Sequence, residues 1–211
     1  MRRALLALVA IGVAAALAGG FLLRNDLRQI DFTRLPTRAS WQRPERVVAA
    51  LELEPGDRVA DLGSGDGYFT FRLAEAVGTE GRVYAVDVDA NTLAEVKREA
   101  QSRGLDNVIT VEAEPSDPLL PDGEVDLVFL CNTYHHLSRR PDYFARLRRD
   151  LAPNGRVAVV EPLDAGLAVL VNPPGHATPV DQVRDEMATA GYHPVASFDF
   201  LPVQSLEIFG R

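Results

Sequence analysis

From residue 41 onward two hydrophobic patterns alternate along the chain. Short apolar runs bounded by turn-forming residues predict buried strands at Arg58–Leu62, Arg82–Asp87, Val108–Val111, Val125–Leu130 and Arg156–Val160. Between them, apolar residues recur at helical spacing. Val47, Val48 and Leu51 mark a helix over Pro44–Leu53, and Phe69, Leu73, Ala76 and Val77 mark another over Tyr68–Val77. A third helix is capped by Asp89, runs to Ser102 and stops at Gly104; a fourth covers Pro141–Leu151. Thr178-Pro179 opens a fifth, with Val180, Val183 and Met187 as its apolar stripe. Val195–Phe200 and Ser205–Phe209 lie too close together for a helical crossover and are expected to pair antiparallel. The alternation predicts an α/β fold: a doubly wound, mostly parallel seven-stranded sheet with helices on both faces and an antiparallel C-terminal hairpin.

The first residues break this pattern. Ala4 to Leu23 is a twenty-residue stretch without a charge, which as a helix reaches roughly 30 Å, the thickness of a bilayer core. Residues 1–24 therefore read as a transmembrane anchor. Arg2 and Arg3 ahead of the stretch, with Ala16-Leu17-Ala18 before Gly19, equally suit a cleavable secretory signal. Arg24, Arg28, Arg34 and Arg38 outnumber the positive groups before the span, which favours a single-pass membrane protein with a cytoplasmic C-terminal domain; export after cleavage is the alternative. Residues 25–40 read as a linker and 41–211 as the single folded domain.

Composition narrows the function. Hydrophobic residues make up 46% and charged residues 25% of the 211, the balance of an ordinary folded protein. A formal net charge of −8 argues against a surface built to neutralise phosphates, so no nucleic-acid partner is expected. Cys131 is the only cysteine and only four histidines occur, which leaves neither an intrachain disulfide nor the ligand set of a structural zinc site; no metal is expected.

The chemistry concentrates where predicted strands end. In Asp61-Leu-Gly63-Ser64-Gly65-Asp-Gly67, three glycines let the chain turn sharply from strand to helix and bring backbone amides close to a ligand. Asp87, ending the second strand twenty-four residues after Gly63, is placed to accept both ribose hydroxyl hydrogens of a nucleotide. A dinucleotide fingerprint requires its third glycine where Tyr68 stands, which disfavours an NAD-linked oxidoreductase.

The run Val59–Thr70 resembles motif I of the class I S-adenosylmethionine-dependent methyltransferases, and Val83–Asp89 resembles their acidic-strand motif. Trp41–Glu45 with Leu53–Gly56 is similar to the lead-in of small bacterial members, and Asp117–Leu127 to their approach to strand four. The resemblance implies S-adenosylmethionine as cofactor, with Gly63, Ser64, Gly65, Gly67 and Tyr68 beside its methionine moiety, Asp61 holding its ammonium and Asp87 and Val88 at the ribose. Glu114 stands near the adenine position, although the family's usual Gly-Asp pair is here Ala113-Glu114.

Cys131-Asn132-Thr-Tyr134-His135-His136-Leu137 follows strand four, where the resemblance places residues near the transferable methyl group and Asn132 at the cofactor. His135 and His136 are candidate general bases, needed only if the acceptor arrives protonated. Tyr134 and His176 are candidate substrate contacts. The expected acceptor is a small or lipophilic molecule, because no appended domain recognises a macromolecule. A catalytically silent cofactor sensor is the alternative reading, and the oligomeric state is not legible.

Overall fold

The computed structural model describes residues 37–163 and 176–211. The apolar stretch 4–23, most of the linker expected at 25–40 and part of the loop before His176 lie outside them. Residues Arg38–Arg211 form one compact unit. No described helix is long and apolar enough to cross a membrane.

Two short helices lead in, α1 (Arg38–Gln42) and α2 (Pro44–Ala50). They are one helical segment broken at Arg43, which adopts φ 44° and ψ 55°. The break has a local cause: a residue before proline is driven out of the right-handed helical region by the pyrrolidine ring. The segment begins three residues inside the expected linker. β1 (Arg58–Leu62), α3 (Thr70–Val77), β2 (Arg82–Asp87), α4 (Ala90–Ser102), β3 (Val108–Glu112) and β4 (Val125–Cys131) follow in the expected alternation. Next come a single 3-10 turn at Tyr134–His136, α5 (Arg140–Leu147), β5 (Leu151–Pro162), α6 (Val180–Thr189), β6 (His193–Phe198) and β7 (Gln204–Gly210).

The seven strands form one sheet in the order β3-β2-β1-β4-β5-β7-β6. β1, β2, β3, β4 and β5 run parallel, while β7 is antiparallel to both β5 and β6. The hairpin is therefore present, and its second strand inserts beside β5. This position explains why every residue of β7 is buried while β6 stays largely exposed at the sheet edge. The strand order reverses between β1 and β4, and the loops leaving their C-terminal ends flank the crevice where such sheets take ligands.

Apolar side chains cover both faces of the sheet. Leu73, Val77, Val47 and Leu51 pack on Val59, Leu127 and Phe129 on one side; Phe144, Leu147, Val183 and Met187 pack on Val128, Val157 and Val159 on the other. Fully burying a side chain of this size contributes roughly 1.5–3 kcal/mol, so these two layers dominate the stability that holds the strand ends in place.

α4 ends as expected. Gly104 adopts φ 68°, and its N–H and that of Leu105 donate to the carbonyls of Gln101 and Ala100. Several element ends shift by one to three residues from the sequence reading, and two differences bear on the site. α5 stops at Leu147, and Leu151 already pairs with Val125 as the start of β5, with a register shift before Arg156 joins Leu127. Of Thr178-Pro179, expected to open α6, Pro179 occupies the cap position without a side-chain hydrogen bond, and Thr178 is buried against Glu161.

Candidate active site

The glycine loop is built as the spacing requires. Gly63, Gly65 and Gly67 all have positive φ, at 76°, 50° and 76°. The N–H groups of Gly63 and Ser64 both donate to the Val86 carbonyl, which ties the loop to the end of β2. Each glycine has its own reason. A Cβ on Gly63 would lie 2.3 Å from Thr133 Oγ1, because the loop after β4 packs directly on the loop after β1. On Gly67 it would meet the Phe71 ring at 2.6 Å. Beyond its chain neighbours, no atom of the described residues lies within 4 Å of a Cβ built at Gly65.

Asp87 is braced from both sides, its Oδ2 accepting the Gly65 N–H at 3.0 Å and its Oδ1 the Asp89 N–H at 3.1 Å. Each oxygen keeps a lone pair, the capacity that two ribose hydroxyls would use. Val88 follows as an exposed side chain. Asp61 is buried at the end of β1 and accepts a 2.6 Å hydrogen bond from the Thr70 hydroxyl. Burial pushes its carboxyl up to about 6, against the hydrogen bond from Thr70 and the field of Arg38. A cation brought to this carboxylate would offset the cost of burying it. Thr70 thus serves Asp61 and leaves the first turn of α3 without a side-chain cap.

α1 closes one side of the loop. Arg38 pairs with Asp66 at 2.8 Å, and its guanidinium lies 3.9 Å from the centroid of the Tyr68 ring, whose flank is also met by Arg72 at 4.2 Å. Gln42, fully buried, donates to Cys131 Sγ at 3.2 Å. Burial pushes the Cys131 thiol well up, so it stays protonated and packs as a small apolar group. Asn132 adopts φ 57°, and its Oδ1 accepts from Gln204 Nε2 at 2.7 Å, joining the ends of β4 and β7.

Three histidines gather after β4. The His135 ring centroid lies 4.1 Å from that of His136 and 5.5 Å from that of His176. His135 is the buried member, its Nδ1 2.8 Å from Glu161 Oε1 at the end of β5, while His136 and His176 are exposed. Among the described residues no group of three or more His, Cys, Asp or Glu is disposed to hold a metal ion. Burial, reinforced by the nearby His136, His176 and Arg140, pushes His135 down to about 4. Burial likewise pushes Glu161 up to about 8, although Thr178, Arg140 and His135 act to lower it.

Two candidates stand apart. Tyr134 lies in the core, stacked on Phe144 at 5.4 Å, and its hydroxyl donates to Glu186 Oε2 at 2.8 Å. It fixes the 3-10 turn and presents no surface to a substrate, contrary to the expectation for it. Glu114 is exposed after β3 in a backbone bridge with Asp117, away from the glycine loop's hydrogen bonds. Glu161 was not singled out from sequence, because it ends the apolar run Val157–Val160 as a lone carboxylate. The available signal was its place at the ligand-binding end of the strand beside the one carrying the two histidines.

The site as built fits S-adenosylmethionine. Gly65 leaves space at the loop, Asp87 presents two oriented acceptors, and the buried Asp61 carboxylate would be stabilised by an ammonium. Comparison with known proteins agrees. Residues 59–155 match a methyltransferase domain family. The chain is 31% identical over 132 residues to the 2-phytyl-1,4-naphtoquinone methyltransferase of Trichormus variabilis, covering 62% of this chain and 57% of that protein. It is 30% identical over 138 residues to aklanonic acid methyltransferase DauC of a Streptomyces species, covering 65% and 63%. It thus spans less than two thirds of the length of these relatives. The crystal structure of a SAM dependent methyltransferase from Aquifex aeolicus superposes with a TM-score of 0.74 at 26% identity, covering 87% of this chain and 97% of that one. Matched domain, strand order and glycine loop together make the chain similar in fold and cofactor loop to the class I S-adenosylmethionine-dependent methyltransferases.

Proposed function

We propose that the protein transfers a methyl group from S-adenosylmethionine to a small, lipophilic acceptor. The observation that carries this reading is the glycine loop of β1 packed against the loop of β4, Gly63 on Thr133, which sets the cofactor cradle beside the buried His135–Glu161 pair. S-adenosylmethionine, when bound, supplies an electrophilic methyl group on a sulfonium. The chain's own task is then to hold, to align and to exclude water. Asp61 would hold the ammonium, the backbone of Gly63–Gly67 and the Tyr68 ring would border the methionine moiety, and Asp87 would take the ribose hydroxyls. His135, and not the exposed His136 or His176, is the group able to receive a proton in a dry setting.

The acceptor class draws on the relatives, whose names specify a phytyl naphthoquinone and aklanonic acid, both extended and lipophilic. Calorimetry with S-adenosylmethionine, S-adenosylhomocysteine and NAD tests the cofactor. Micromolar binding of the first two and none of NAD is expected; the reverse would return the oxidoreductase reading. Tight cofactor binding without S-adenosylhomocysteine formation in any lipid extract would favour a sensor.

We also propose that the apolar stretch 4–23 tethers the domain to the membrane with residues 37–211 on the cytoplasmic side, a reading supported by the length of the stretch and the arginines after it. Protease protection of the domain in intact spheroplasts is the expected result, and digestion there would overturn it.

A further inference from the structure

We propose that Glu161 is a positioning residue that makes His135 the proton acceptor for a weakly acidic hydroxyl, so that the methyl acceptor is a phenol- or enol-type compound and not a preformed anion. The inference rests on the methyltransferase reading above and deepens it. Its basis is geometric. The His135 and Glu161 side chains are only 6% and 1% exposed, sit at adjoining strand ends and meet Nδ1 to Oε1 at 2.8 Å. Among the described residues Glu161 Oε2 is buried without a well-formed hydrogen bond, and Thr178 and the His135 backbone border the same carboxyl. When Glu161 is ionised, Nδ1–H donates to it and Nε2 is the nitrogen left to take a proton.

A carboxylate or thiolate acceptor needs no base, and a buried His–Glu pair in its site would be a cost without a return. A neutral hydroxyl needs one. As its oxygen lone pair forms the new bond to the methyl carbon, the carbon–sulfur bond breaks with its electron pair remaining on sulfur. The hydroxyl proton passes to His135 Nε2, and the Nδ1 proton stays in the hydrogen bond to Glu161. Charge balances: a cationic donor and a neutral acceptor yield a thioether, a methyl ether and one proton on the pair. His136, its ring centroid 4.1 Å from that of His135, is exposed.

The charged and titratable neighbours are His136 on the same turn, His176 ahead of α6 and Arg140 on α5, all disfavouring an imidazolium. Facing Glu161 are Arg140 and, further off, Cys131 on β4, with Thr178 as a polar contact. Burial pushes the two groups toward their neutral forms, so between about 4 and about 8 the pair holds one shared proton. The base-competent form, neutral imidazole beside carboxylate, appears as pH rises through about 8.

Nitrogen-15 NMR of the histidine rings in the full-length protein without ligand tests the pair directly. The His135 resonances are expected to follow an ionisation near pH 8 that disappears in Glu161→Gln, leaving one step below the ordinary histidine range. Identical titration near 6.5 in both proteins would overturn the proposal. A second arm uses 2-naphthol and 2-naphthoate as acceptors with S-adenosylhomocysteine formation as readout. Preference for the naphthol, kcat rising through pH 8, and a loss of about 10²-fold in kcat with KM little changed in Glu161→Gln are expected. A preference for the naphthoate, or a Glu161→Gln enzyme with wild-type kcat and pH profile, would overturn it. An NMR step at pH 8 with no cofactor binding at all would remove the methyltransferase reading and leave the coupled pair standing.

Discussion

At the scale of single residues, the three loop glycines separate folding from binding. Gly63→Ala places a methyl group on Thr133 and forces a left-handed backbone at φ 76°. The backbone term alone costs about 1–2 kcal/mol, and the overlap adds to it. Gly65→Ala meets no protein atom and carries only the backbone term. Thermal unfolding should therefore fall clearly for Gly63→Ala and slightly for Gly65→Ala, whereas calorimetry should show cofactor affinity reduced at least about tenfold in both. Equal stability of the two variants would refute the packing argument. Asp61 supports a second test. Its folded carboxyl sits at about 6, above the ordinary 3.8, so the protonated form favours folding at low pH and that contribution is lost as pH rises through about 6. Binding an ammonium runs the other way, because only the ionised form attracts it. Cofactor affinity should rise between pH 5 and pH 7.5 in the native protein and stay flat in Asp61→Asn, as read by titration calorimetry at the two pH values.

At the scale of elements, three pieces that do not touch in sequence are joined around one carboxylate. Glu186 on α6 receives Arg140 of α5 at 2.6 and 2.9 Å and the Tyr134 hydroxyl of the 3-10 turn at 2.8 Å. The guanidinium and carboxylate are each only 18% exposed, so removing one leaves the other poorly solvated. Glu186→Ala should cost on the order of 2–3 kcal/mol in urea unfolding, and a conservative Glu186→Gln less. Because the same turn carries His135, the Ala variant should also broaden the His135 ring resonances. This arrangement shows where sequence reading reached and where it stopped. Strands such as Arg82–Asp87 and the helix between Asp89 and Gly104 are written in local pattern, since an apolar run or a cap needs only near neighbours. The start of β5 at Leu151 was not legible, because its pairing with Val125 is a long-range contact and Pro153-Asn154-Gly155 inside the strand reads locally as a turn. The glycine loop, Asp61 and Asp87 were legible for the same local reason. The burial of Tyr134 and the partnership of His135 with Glu161 depend on which way a short turn faces, and no periodicity records that.

At the scale of the whole molecule, the question is where the binding unit begins. The resemblance and the apolar pattern set the boundary at residue 41, yet the compact unit starts at Arg38, and α1 contributes two contacts to the site. Arg38 to Asp66 is a largely exposed ion pair, with 40% and 69% of the two side chains accessible, and adds little to stability by itself. Its effect is on order: with the guanidinium over Tyr68, it holds the loop in the conformation that a ligand must otherwise impose, and ordering of that kind is a direct term in affinity. Gln42 closes the floor beside Cys131 from the same short helix. Two truncations follow. A chain beginning at Thr37 keeps both contacts and should bind S-adenosylmethionine within about twofold of the full-length protein. A chain beginning at Pro44 retains the sheet and all helices from α2 onward but should bind about tenfold more weakly, a difference of about 1.4 kcal/mol. Arg38→Ala in the full chain should account for part of that loss with little change in thermal midpoint. Equal affinity for the two truncations would mean that α1 only packs against the domain, and the loop would then have to be ordered by the sheet ends alone.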